Sequence, residues 1–148
     1  MRLIKRFDSD ERGATLVEYA IAVSVFLTAM FAVIEFGRAL WVHNALSDAA
    51  RRGARYAVLH TANDSAQVKN VVVYGDPAGG SQPTLTNLST ENVQVNYSQF
   101  GLNTGTVTVS ITNYKFEFVI PIVGTTITMP NYTTTLTGES VGLIPADM

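Results

Sequence analysis

The chain has no cysteine, which excludes disulfide frameworks, thiolate zinc sites, iron–sulfur clusters and cysteine nucleophiles. The compartment stays open, because secreted bacterial proteins often manage without disulfides. Charge is also sparse: 15% of the 148 residues are charged and the net charge is -2, with a pI near 5.6. That balance argues against a chain that coats nucleic acid, and no nucleic-acid partner is expected. Histidine occurs only at His43 and His60; on one predicted helix, so far apart, the two cannot ligate one metal in a monomer. No G-x-S-x-G, H-E-x-x-H, phosphate-binding glycine loop or calcium-loop pattern is present, and no repeat of solenoid period. A length of 148 residues leaves room for one modest domain and excludes a multidomain enzyme. Neither catalysis nor a cofactor or metal is expected.

What the chain does have is a long apolar run near its start. Residues 1–13, MRLIKRFDSDERG, form a polar leader in which Arg2, Lys5, Arg6 and Arg12 outnumber Asp8, Asp10 and Glu11. From Ala14 to Ile34 the sequence reads ATLVEYAIAVSVFLTAMFAVI, about 32 Å of helix at the usual rise and a match to a hydrocarbon core of roughly 30 Å. This predicts a transmembrane helix over 14–34. A cleaved secretory signal fits less well, since the run exceeds a usual signal core and helical character continues without a small-residue cleavage site. The segment 35–60, EFGRALWVHNALSDAARRGARYAVLH, extends the same helix outside the membrane, so that residues 14–60 could form one helix about 70 Å long. Trp41, seven residues past Ile34, fits headgroup depth.

Beyond His60 the composition turns Thr-, Asn-, Val- and Gly-rich, with 15 threonines from Thr61 onward. A strand-rich extracytoplasmic domain is expected over 61–148, with a mobile Gly/Pro-rich loop at 75–87 (GDPAGGSQPTLTN). Period-two alternation marks strands at Val93, Val95 and Tyr97 and at Val107, Val109 and Ile111; Tyr114, Phe116, Phe118 and Ile120 continue on the opposite parity. The switch at Thr112 and Asn113 predicts a bulge or turn. Further strands are expected at 125–129 and 132–141, and another at 68–74. The predicted fold is α+β: a long N-terminal transmembrane helix that continues out of the membrane and packs on a small antiparallel sheet.

Glu18 is the anomaly of the apolar run. A carboxylate inside a membrane span costs about 2.5 to 3.5 kcal/mol on insertion scales, so it calls for a partner or a purpose. A cut after Gly13 would give Ala14 a free α-ammonium one helical turn before Glu18. Helical side chains lean toward the N-terminus, which aims the Glu18 carboxylate at that amine, on its own chain or on a neighbour. The plainer alternative is that Glu18 merely answers the positive end of the helix dipole.

Gly13, four further residues and then Glu18-Tyr19, ahead of about twenty apolar residues, resemble the class III leader of type IV pilin-like proteins, particularly the G-x-x-x-x-E-Y form of the Flp/Tad (tight adherence) systems. The resemblance implies cleavage between Gly13 and Ala14 by a membrane prepilin peptidase. A second stretch resembles the region after the membrane helix of TadE-like pseudopilins. Glu35, Phe36, Gly37 and Arg38 match its start, and Ala49, Ala50, Arg51, Gly53, Ala54, Arg55, Tyr56 and Ala57 match its AAR-x-GARYA ending. Arg52 stands where that family more often has an acidic residue. The resemblance runs from Gly13 to Ala57.

Two ladders of small residues recur at intervals of four. Ala20, Ser24, Thr28 and Ala32 would let another helix approach closely within the membrane, though membrane helices are rich in small residues anyway. Ala45, Ala49, Gly53 and Ala57 are expected to pack on the protein's own sheet. Arg51, Arg52 and Arg55 read as a solvated helix face, with Asp48 as an ordinary i+3/i+4 partner.

Together these readings imply a TadE-like minor pseudopilin. It would lie in the bacterial inner membrane with the leader in the cytoplasm, and then pass into a pilus or to the cell surface. The partners implied are other pilin and pseudopilin subunits, the prepilin peptidase, the Tad inner-membrane assembly platform and, before assembly, membrane lipid. The alternative is a permanently membrane-anchored module that binds a glycan or protein through its β domain.

Overall fold

The computed structural model describes residues 10–98, 105–119 and 126–138, with side chains described from Gly13 onward. The protein is α+β: a long apolar N-terminal helix followed by small antiparallel sheets. Helix α1 runs Asp10–Val58 and α2 Ser65–Tyr74; the strands are β1 Val93–Ser98, β2 Thr106–Ile111, β3 Lys115–Glu117, β4 Thr126–Thr128 and β5 Tyr132–Thr137. By its contacts the chain divides into two units, Met1–Arg38 and Ala39–Met148. The first consists, among the described residues, of the N-terminal part of α1. The second holds, among the described residues, the rest of α1, α2 and strands β1 to β5.

Three strands form one sheet in the order β1-β2-β5, and β3 pairs with β4 in another. Val93 lies opposite Ile111 and Ser98 opposite Thr106; Thr106 lies opposite Thr137 and Ile111 opposite Tyr132. The period of two along a strand divides the faces: Val107, Val109 and Ile111 are buried, while Thr106, Thr108 and Ser110 look outward. On the outward face Thr108 pairs with Thr135 at 2.9 Å and Ser110 with Thr133 at 3.0 Å through their hydroxyls. The buried face meets α1, whose Leu46, Ala49, Ala50, Ala54 and Ala57 join the valines of β2 in the core.

The predicted parity switch has a backbone cause. Asn113 takes a left-handed conformation (φ 57), and Asn92 holds the bend by donating from Nδ2 to the carbonyls of Thr112 and Asn113. The chain thereby leaves the first sheet and enters β3, which covers only Lys115–Glu117 rather than the longer run through Phe118; Ile120 lies outside the described residues. β5 ends at Thr137. Residue 125 and residues 139–141 of the expected last strands, like residues 1–9 of the leader, lie outside the described residues.

One expectation is overturned. Residues 68–74 belong to α2 and not to a strand. The β-branched run VKNVVVY favours strand locally, but Val68, Val71 and Val72 fall at helical spacing and are all buried, so burial of one face outweighs weak propensity. Gly75 closes the helix in the left-handed conformation (φ 79), its N–H donating to the Val71 carbonyl. Helix α1 also differs at its ends, starting at Asp10 and stopping at Val58 two residues short of His60. The Gly/Pro-rich segment is a loop, tethered where composition alone suggests mobility. The N–H and hydroxyl of Thr84 both donate to the Val73 carbonyl, Asn70 donates to the Pro77 carbonyl, and Leu85 and Leu88 are buried.

Candidate functional site

The candidate site is the apolar part of α1. In the N-terminal unit Leu16, Val17, Ile21, Val25 and Val33 are exposed, and Phe26 is 66% exposed. Fully burying one such side chain is worth about 1.5 to 3 kcal/mol, so leaving this many in water is untenable. The helix is long and apolar enough to cross a membrane, and the window that qualifies is not buried against the rest of the protein.

Gly13 and Ala14 lie inside α1 and are exposed, as are Glu18 and Tyr19. A Cβ on Gly13 would meet nothing within 4 Å, so local packing gives no reason for glycine there. Glu18 follows Ala14 by one turn and makes no ion pair among the described residues. Ala20, Ser24, Thr28 and Ala32 are all exposed. The two hydroxyls of this ladder satisfy themselves, Ser24 donating to the Ala20 carbonyl and Thr28 to the Ser24 carbonyl, each at 2.8 Å. The ladder can therefore face lipid or another helix without an unmet hydroxyl donor.

At the end of the apolar run Glu35 is only 7% exposed and accepts a hydrogen bond from Arg38 Nη2 at 2.9 Å. The i,i+3 pair is internally neutral. Phe36 beside it is exposed, and Gly37 is open, with no atom within 4 Å of where a Cβ would stand.

The second ladder is placed differently. Ala49, Gly53 and Ala57 are buried and Ala45 is half-buried. A Cβ on Gly53 would collide with the Val72 Cγ2 methyl of α2 and lie 3.3 Å from Val109 Cγ1 of β2. Glycine thus marks the closest approach of α1 to both elements. Arg51, Arg52 and Arg55 are exposed on the other side, and Asp48 lies 3.7 Å from Arg51 with both side chains well exposed. The segment matching AAR-x-GARYA is therefore a packing face, Ala49, Ala50, Gly53, Ala54 and Ala57, alternating with a solvent face that carries the arginines. Tyr56 is half-buried, stacks on His60 at 3.8 Å and donates its hydroxyl to Gln67 of α2.

One pairing escaped the sequence reading. His43 Nδ1 lies 2.8 Å from the Tyr132 hydroxyl, ring against ring edge-on, which ties α1 to β5. Burial, followed by the charge of neighbouring Tyr114, pushes the Tyr132 hydroxyl above the usual tyrosine value. Nothing in a lone histidine on a helix signals a partner on the last strand. Among the described residues no group of three His, Cys, Asp or Glu side chains could hold a metal.

Comparison with protein families matches residues 13–55 to the TadE-like proteins. The match begins at Gly13 and ends within the arginine-bearing turn of α1. No curated protein and no solved structure matches the chain.

Proposed function

From a chain whose residues 13–55 are TadE-like, and which is thereby associated with Tad-type pilus systems, we propose a minor pseudopilin with a structural rather than catalytic task. The polar leader stays in the cytoplasm, α1 crosses the inner membrane, and the strand-bearing unit lies outside. Prepilin peptidase cuts after Gly13 and leaves Ala14 with a free amine. The Tad assembly platform then draws the processed chain among other pilin and pseudopilin helices, which replace lipid around the apolar surface of α1.

The observation that carries this reading is that surface itself: large apolar side chains exposed from Leu16 onward, interrupted by a carboxylate at Glu18 with no ion pair among the described residues. A membrane span explains the first, and an amine created one turn away explains the second. The test is a pair of substitutions. Gly13→Val leaves a full-length, membrane-retained precursor on a gel. Glu18→Ala is still cleaved but enters pili poorly, because the Ala14 ammonium loses its counter-charge in an apolar setting. Normal mobility of Gly13→Val, or normal pili from Glu18→Ala, overturns the corresponding step.

The second reading, a permanent membrane-anchored binding module, draws on the outward face of the β1-β2-β5 sheet. There Gln94, Asn96, Thr108, Ser110, Thr133 and Thr135 offer hydroxyls and amides without a charge. It requires no cut at Gly13.

A further inference from the structure

We propose that the strand-bearing unit rests on the outer membrane–water interface through the β3–β4 hairpin, with Val119 and Ile127 entering the lipid beside Trp41. This rests on the reading that α1 crosses a bilayer and adds a second lipid contact to it.

The large apolar side chains exposed in this unit, among the described residues, are not scattered. Leu40 and Trp41 (61% exposed) stand at the start of its share of α1, Val119 (75%) lies two residues past β3, Ile127 (43%) is the middle residue of β4 opposite Phe116, and Leu59 alone lies at the far end of α1. The register places the first four at one end. His43 bonds to Tyr132, and Tyr132 lies opposite Ile111. Ten residues further along α1, Gly53 approaches Val109. So β2 runs from Thr106 to Ile111 toward the end at which α1 enters the unit. After the three intervening residues 112–114 the chain begins β3, and the Met129 N–H donates to the Tyr114 carbonyl, which roots the hairpin at that same end.

The occupant follows from continuity. The apolar stretch of α1 leads directly in sequence into Ala39, Leu40 and Trp41, so if that stretch lies in lipid, the bilayer surface is at the end of the unit where the hairpin is rooted. Trp and neighbouring apolar side chains are what such an interface accommodates. Lys115 and Glu117 occupy the outward positions of β3 with opposite charge, so the contact is apolar and needs no anionic lipid.

The chain has a single tryptophan, which makes the test direct. Full-length protein is reconstituted in phosphatidylcholine vesicles carrying lipids brominated near the carbonyl end or near the methyl end of their chains, and tryptophan emission is read. Native Trp41 reports the interface. In a Trp41→Phe background, Val119→Trp and Ile127→Trp report the hairpin, Phe26→Trp the depth of α1, and Leu59→Trp the far end. Val119→Trp and Ile127→Trp are expected to lose emission to lipid brominated near the carbonyl end as strongly as Trp41 does, with no change on adding salt, while Leu59→Trp is unaffected. If both hairpin reporters stay unquenched while Phe26→Trp is quenched, the hairpin contact is wrong and the membrane reading stands. If Phe26→Trp is unquenched as well, both fall. A hairpin signal that responds to protein density and not to brominated lipid identifies a second copy as the occupant and overturns the proposal.

Discussion

Gly37 and Gly53 stand in the same helix and in the same family-matched segment, yet their surroundings assign them opposite responses to a methyl group. At Gly53 the added carbon meets Val72 and Val109; overpacking a core of this kind costs about 1 to 3 kcal/mol. Gly53→Ala is therefore expected to lower the thermal or denaturant midpoint of the detergent-solubilised protein. At Gly37 the space is open, and alanine is a better helix former than glycine by up to about 1 kcal/mol. Gly37→Ala should leave the midpoint unchanged or raise it, and the two variants measured side by side check the packing directly. The spacing of Ala45, Ala49, Gly53 and Ala57 is readable without coordinates. That Gly53 meets α2 is not, because the valines of α2 carry a strand-like local preference and their helical face emerges only when α1 and β2 are there to bury it.

The strands were largely legible because alternation of Val93 and Val95, and of Val107, Val109 and Ile111, encodes a sheet with one buried face. Their order was not, since placing β5 beside β2 depends on pairings distant in sequence, such as Ile111 with Tyr132. The link between α1 and that last strand makes a sharper prediction. Tyr132→Phe removes the hydroxyl that meets His43 and is expected to destabilise the strand-bearing unit by about 1 kcal/mol, while a His43→Ala/Tyr132→Phe double variant costs less than the sum of the singles. Additive losses in that cycle would mean the contact contributes nothing. Burial also raises the Tyr97 hydroxyl above its ordinary 10.0, with Asp64 and Tyr56 adding to the shift, as burial does for Tyr132. Unfolded tyrosines ionise at the ordinary value and the native ones only above it. The stability they confer is therefore full below pH 10.0 and lost as pH rises through the native values. An alkaline titration of the thermal midpoint should show this fall, reduced in the Tyr132→Phe variant.

For the molecule as a whole, the apolar helix is at once the most legible feature of the sequence and the least self-sufficient one in the structure. Its run from Ala14 to Ile34 can be counted from composition alone, whereas the close fit of its later turns against β2 and α2 depends on tertiary packing. The exposed portion is left uncovered by the rest of the protein; on the proposed function lipid covers it first and other helices later, and the passage between the two follows a cut that creates a charge partner for Glu18. The measurement that bears on it most directly is N-terminal sequencing of the protein from two fractions, sheared pili and inner membranes. The account predicts that every copy in the pilus fraction begins at Ala14, with the uncut form confined to the membrane. Copies in pili that still begin at Met1, or a protein that stays in the membrane uncut while pili assemble normally, would contradict it.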